Sequence, residues 1–207
     1  SGNDLDLDDD GEATVAIGFD FRFFGEGSTV VRVGNNGGIL FGTETGELGY
    51  NNLPLPNVTL GPAILPFWDD FDSEGGAVYA QTLGTAPARR LVIEWKERLH
   101  YNGAENTDPA TFQAILHEGS DAIVFQYADT DMDGSEWDDG ASATIGLNRG
   151  DLASQYSLDS ASVGAGSVVL FAPVPTTPYS ASDVVTIDAG APDIQVVPAA
   201  LVARVAA

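Results

Sequence analysis

The sequence predicts an all-β protein, an antiparallel β-sandwich of jelly-roll-like type. Three observations carry that prediction. Nearly every apolar segment alternates with period two, no segment sustains a 3.6-residue period, and Gly, Asn, Asp and Pro interrupt the apolar segments at short intervals. About ten short strands with turn-rich connections fit two packed sheets better than any helical layer.

The elements follow in order. In TVAIGFDFRFF, Val15, Ile17, Phe19, Phe21 and Phe23 share one face, while Thr14, Ala16, Asp20 and Arg22 take the other. The same alternation predicts strands at STVVRV, GGILFG, GAVYAQT, RLVIEWKERL, TFQAILHE, AIVFQYA, SATIGL and SVVLFA. Asn36-Gly37-Gly38 supplies the positive φ of a tight turn, and EGSD at 118–121 joins two alternating strands as a hairpin. Residues 1–11 form an acidic N-terminal extension expected to be loosely held, and 12–172 form the β-sandwich domain. Residues 173–192 read as a Pro/Ser/Thr-rich linker with one short strand, VVTIDAG. Residues 193–207, DIQVVPAALVARVAA, read as a strand with three open destinations: back onto this domain, into a following module, or into another copy.

Charge excludes whole classes of function. Eight Lys and Arg face 31 Asp and Glu, for a net −23, so phosphate-rich partners and anionic membrane surfaces are repelled. Such self-repulsion destabilises the compact state unless cations or salt screen it, which fits a calcium-rich exterior or a saline habitat equally well. Cysteine is absent, which rules out thiol catalysis, Cys-ligated zinc and disulfides. No apolar run approaches the ~20 residues of a membrane span. The start, SGNDLDLDDD, is not a signal peptide, so any such peptide is expected to have been removed.

A series of motifs then carries a resemblance. VGNNGGILFG at 33–42, YNNLPLP at 50–56 and ILPFWDDFD at 64–72 occur in that order. They are followed by GGAVYAQTLGTAPARRLVIEW at 75–95, TFQAILHEGSDAIVFQY at 111–127 and SATIGLNRGDLASQYS at 142–157. The series resembles an accessory β-domain of bacterial secreted subtilisin-like peptidases and large surface proteins, across roughly residues 15–171. The PFWDD-to-VYA portion is also similar to the start of the nidogen-type (NIDO) extracellular domain, and DIQVVPAAL to the opening strand of immunoglobulin-like modules. The resemblance implies an exported, non-catalytic module and brings no catalytic residues with it. This chain departs from it in a longer, more acidic loop at 129–140.

Catalytic motifs are missing: there is no G-x-S-x-G, H-E-x-x-H or P-loop, and only His100 and His117 are present. His117 falls opposite Phe112, Ala114 and Leu116, which makes it a solvent-side strand residue, and Lys96 beside Glu97 reads as a surface lysine. The loop DTDMDGSEWDDG at 129–140 carries more chemistry. Asp129, Asp131 and Asp133 stand at positions 1, 3 and 5 of a calcium loop, Gly134 gives the turn, and Ser135 offers its carbonyl. Gly140 stands where the bidentate Glu belongs, so Asp138 or Asp139 is expected to close the shell. Two shorter echoes are Asp6, Asp8 and Asp10 ahead of Gly11, and Asp70, Asp72 and Glu74 ahead of Gly75. Dense oxygen ligands favour Ca2+ over zinc or iron; the plainer alternative is an acidic solvated turn. Trp68 and Trp137 are the rings available to stack on a sugar, although a buried Trp is the commoner case.

The expectation is therefore a calcium-stabilised, extracellular or cell-surface structural or adhesive module. Its partners are other extracellular proteins, copies of itself, or glycans. Two alternatives stand beside it: a surface-filament subunit linked by β-strand donation, and a carbohydrate-binding module using Trp68 or Trp137.

Overall fold

The computed structural model describes residues 2–42, 46–101, 107–132, 136–173 and 200–205, the last as backbone only. The strands are β1 (Asn3–Asp4), β2 (Glu12–Phe23), β3 (Glu26–Gly34), β4 (Gly38–Leu40), β5 (Ala63–Trp68), β6 (Ala77–Leu83) and β7 (Arg90–Arg98). They continue with β8 (Ala110–His117), β9 (Ile123–Asp129), β10 (Thr144–Asn148), β11 (Ala153–Leu158), β12 (Val168–Pro173) and β13 (Ala200–Val205). One sheet has the order β1-β6-β7-β8-β9-β12-β13 and the other β11-β10-β5-β4-β3-β2. The predicted sandwich is present, built from two meanders, β2 to β5 and β6 to β9, that face each other. Among the described residues all pairings are antiparallel except β12 with β13.

Alternation becomes packing. Along β2, Val15, Ile17, Phe19, Phe21 and Phe23 are buried and the residues between them are exposed. Between the sheets lies an aromatic stack in which Trp95 lies 5.1 Å from Phe112 and Phe112 lies 5.3 Å from Phe67. Each such side chain contributes roughly 1.5–3 kcal/mol by leaving water. Trp95 Nε1 donates to Gly34 O at 2.9 Å and the Tyr127 hydroxyl to Pro66 O at 2.7 Å, so their polar atoms do not offset the gain.

Three elements depart from the expected strand set. β5 was expected only as a motif, because AILPFW does not alternate: all six residues are buried, and Pro66 argues against a central strand. The strand accommodates the proline through a bulge opposite Thr144–Gly146, where the ladder is already broken. Its outer face is dry because the loop 46–62 covers it, giving a second small core of Leu40, Leu48, Leu60, Ala63, Leu65 and Trp68. β11 is polar and half-exposed, so alternation could not mark it. The N-terminal segment is tied down: β1 pairs with β6, Leu5 N donates to Val78 O at 2.9 Å, and Leu5 and Leu7 pack on the main core.

The ends of the chain bear on assembly. The outer edge of β2 is guarded near its bulge, since Thr82 Oγ1 donates to Ile17 O, an Arg89 Nη1 donates to Gly18 O, and Arg22 N donates to Asp121 Oδ1. β13 pairs in parallel with β12, Val168 opposite Ala200 through Pro173 opposite Val205. The expected strand VVTIDAG and most of the expected linker lie outside the described residues.

Candidate metal-binding end of the sandwich

Antiparallel alternation sends the starts of β2, β4, β6, β8 and β10 and the ends of β3, β5, β7 and β9 to one end of the molecule. All three acidic motifs sit on the loops at that end. Asn36 organises it. Its Nδ2 donates to Asp10 Oδ1 at 2.6 Å and to Leu48 O at 3.1 Å, its Oδ1 accepts from Phe71 N, and its carbonyl accepts from Asp69 N. Gly37 follows with φ +73, and a Cβ there would overlap the Phe67 carbonyl oxygen, so the Asn-Gly pair is required by approach as well as by turn type.

The two short echoes, 60 residues apart in the chain, are thereby brought together. Burial and the carboxylates of Asp10, Asp69 and Asp9 push Asp70 up to about 6, against the lowering effect of His100. Asp9 is raised too, by burial and then by Asp10 and Asp72. Beneath them the buried Arg98 guanidinium donates to Asn35 Oδ1, Asp72 O and Gly75 O. Burial lowers its pKa while Asp72, Asp4 and Asp9 oppose that shift. The sequence read Arg98 only as part of a strand. A bulge between Trp95 and Arg98, with Glu97 at φ 55, turns it inward where simple alternation would have placed Glu97.

The two described arms of the 129–140 loop are tied together. Met132 is fully buried and its N donates to Asp138 Oδ1 at 2.9 Å. Thr130 Oγ1 donates to Asp139 Oδ1 at 2.7 Å, and Asp139 N returns to Thr130 O at 2.9 Å. Asp138 and Asp139 thus each commit an oxygen to holding the loop. Asp129 Oδ1 accepts from Asp131 N at 3.3 Å, as in an acidic turn. Asp133 and Ser135 lie outside the described residues. Among the described residues no three acidic or histidine side chains already converge as metal ligands. The donor chemistry at this end is that of hard carboxylate oxygens, which suits Ca2+ and does not suit soft-ligand metals.

Between the motifs lies a buried polar junction. Asp69 is buried; its Oδ2 accepts from Ser142 Oγ at 2.5 Å and its Oδ1 lies 3.3 Å from His100 Nε2. His100 Nδ1 is 3.1 Å from Tyr101 O, and Trp137 stacks on the imidazole at 4.8 Å. Ser, His and Asp meet here in the wrong order for nucleophilic catalysis: the serine is bonded to the aspartate, not to the imidazole that would deprotonate it. The junction joins three loops.

The remaining residues singled out in the sequence are placed as follows. Trp68 is buried, its Nε1 donating to Gly49 O at 2.9 Å. Lys96 and Glu97 form an exposed pair 3.7 Å apart. His117 is half-buried, and burial with nearby Arg90 lowers its pKa. At the same, opposite end Arg89 clamps Glu118 at 2.5 Å and holds it down at about 2.

A β-sandwich whose buried polar groups fasten loops to one another defines a structural domain. The chain belongs to the NIDO-related family: a scan against protein families matches residues 1–184 to the description NIDO related. A search of the curated proteins and a search of the solved structures each returned no match. The NIDO similarity, read in the sequence on the stretch from PFWDD to VYA, thus extends over most of the chain. Neither search bears on the expected likeness to accessory domains of subtilisin-like peptidases. Membership points to an extracellular structural module and to a non-enzymatic family with protein partners. Among the described residues no helix is long and apolar enough to cross a membrane.

Proposed function

We propose that this NIDO-related domain is an adhesive or structural module of a secreted or cell-surface protein, stiffened by calcium at its acidic end. The observation that carries the reading is the convergence of the 6–11 and 70–75 motifs on Asn36, with Asp70 pushed up to about 6 by burial and by its neighbours. Like charges held this close destabilise the fold until a cation offsets them. Asp9, Asp10, Asp70 and Asp72 are the residues that would hold one ion, and Asp129 and Asp131 belong to a second position on the longer loop. Calcium would supply charge neutralisation and a cross-link between loops, not catalysis.

The test is thermal melting at fixed ionic strength, in calcium and in EDTA. One site at about 100 times its Kd adds ~2.7 kcal/mol by mass action, which raises Tm by roughly 5–10 °C for a chain of this size. Asp10→Asn with Asp72→Asn should remove the response of the converged site, and Asp131→Ala that of the loop. Coincident melting curves with and without calcium would sink the proposal.

A second reading rests on β13. Among the described residues it is the one parallel strand in its sheet, and residues 174–199 separate it from β12, a length of chain sufficient to reach a neighbouring molecule. The same strand supplied by another copy would satisfy the β12 edge equally well, and a head-to-tail exchange of this kind grows a filament.

A further inference from the structure

Beyond the calcium reading, and independent of it, we propose that the groove beneath the 46–60 loop is a binding site for a neutral saccharide, with Tyr50 as its stacking ring. The groove is open to solvent and holds about 600 Å3 on the outer face of the six-stranded sheet, between the loop and the buried Trp68, inside the ~300–1,000 Å3 range of small-ligand sites. Its lining mixes the two chemistries a sugar ring presents, apolar C–H faces and hydroxyl edges. Tyr50 is 55% exposed and Leu53 45%, while Asn51, Asn57, Thr59 and Glu47 offer polar atoms.

Several of those polar groups are available. The side chains of Asn51 and Glu47 make no hydrogen bond among the described residues. Asn57 spends its Oδ1 on Thr59 N, Thr59 Oγ1 and Leu60 N, which leaves its amide donors over. The walls are fixed in advance. Asn52 Nδ2 donates to Ser142 O, Thr144 Oγ1 and Asp159 Oδ1, Asn148 brackets Asn57 through N and O, and Trp68 Nε1 pins Gly49. A preformed site loses little entropy on binding.

Charge and exposure select the ligand. Among the described residues that line the groove Glu47 is the one that carries charge and none is cationic, so anionic sugars are repelled. Of the large apolar side chains exposed on the described surface, Tyr50, Leu53 and Val58 lie on this loop, and Leu152 lies on the turn at Gly150, where an added Cβ would lie 3.9 Å from Val58 Cα; Val30 and Tyr101 lie elsewhere. Such grouping of exposed apolar surface marks an interaction site. Trp68 and Trp137 are both engaged within the protein, so Tyr50 is the aromatic face presented to the groove.

The experiment uses the full chain, labelled for amide NMR, with cellohexaose, laminarihexaose, chitohexaose and mannohexaose as probes, each in calcium and in EDTA. At about 10 mM, enough to fill most of a site of roughly 1 mM Kd, at least one probe should shift the amides of Tyr50, Asn51, Asn57 and Thr59 and the Trp68 indole. Tyr50→Ala should weaken that binding about tenfold with an unchanged melting temperature, while Tyr101→Ala, equally exposed but outside the groove, should not affect it. Three results would overturn the assignment: no shift with any probe, shifts elsewhere only, or undiminished binding by Tyr50→Ala. Capture of a proline-rich peptide in the groove when all four sugars fail would reassign it to a protein partner. Loss of the calcium response alone would leave the site standing.

Discussion

At the scale of single residues, Asp70 makes the sharpest statement. Its folded-state pKa of about 6 lies above the ~3.9 of an unfolded aspartate, so the native state holds that proton more tightly than the unfolded chain does. The stabilisation is complete below ~3.9 and is lost as pH rises through about 6. Glu118, held at about 2, works in the opposite sense. Its contribution is present above the ~4.3 of an unfolded glutamate and disappears as pH falls through 2. In EDTA, Asp70→Asn should therefore melt higher than the parent at pH 7 and converge with it near pH 4, which a pair of melting series checks. Arg98→Ala should cost roughly 3 kcal/mol or more by leaving buried acceptors without donors, measurable in urea. Neither role was legible locally. Nothing in KERL announces that a bulge will bury Arg98, and nothing in either short acidic motif reveals that Asn36 will join them.

At the scale of elements, what could be read depended on whether a segment has one wet face. β2, β7, β8 and β9 do, and their alternation marked them directly. β5 is dry on both faces because the 46–62 loop just ahead of it folds back over its outer face, so its pattern could not be told from any apolar run. β11 is a polar strand defined by its partner β10 rather than by its own residues. For β13 the sequence left three destinations open, and deleting residues 183–207 separates them. Lost stability at every protein concentration would mean that the strand belongs to its own sandwich. Unchanged stability would mean that it begins a following module. A folded core that no longer assembles would make the filament reading the leading one.

At the scale of the whole molecule, composition and architecture act together. A net charge of −23 is not spread evenly, because the antiparallel topology gathers all three acidic motifs at one end. Calcium should accordingly raise Tm beyond what an equal ionic strength of sodium chloride achieves, since general screening acts on all charges and a bound ion on a few. Hydrolysis of peptide, ester or glycoside substrates should be undetectable, and turnover abolished by His100→Ala or His117→Ala, with circular dichroism unchanged, would contradict the non-enzymatic reading. The stacking of Trp137 on His100 also has an optical consequence. Trp68 and Trp95 are buried with their indole N–H groups bonded to backbone carbonyls, so their emission should be blue-shifted and insensitive to events at the surface. Trp137 alone among the three is half-exposed, and it stands on the acidic loop itself. The protein thus carries its own fluorophore at the place where an ion is proposed to bind, and a change in red-edge emission or iodide quenching during a calcium titration would report on that loop without any label.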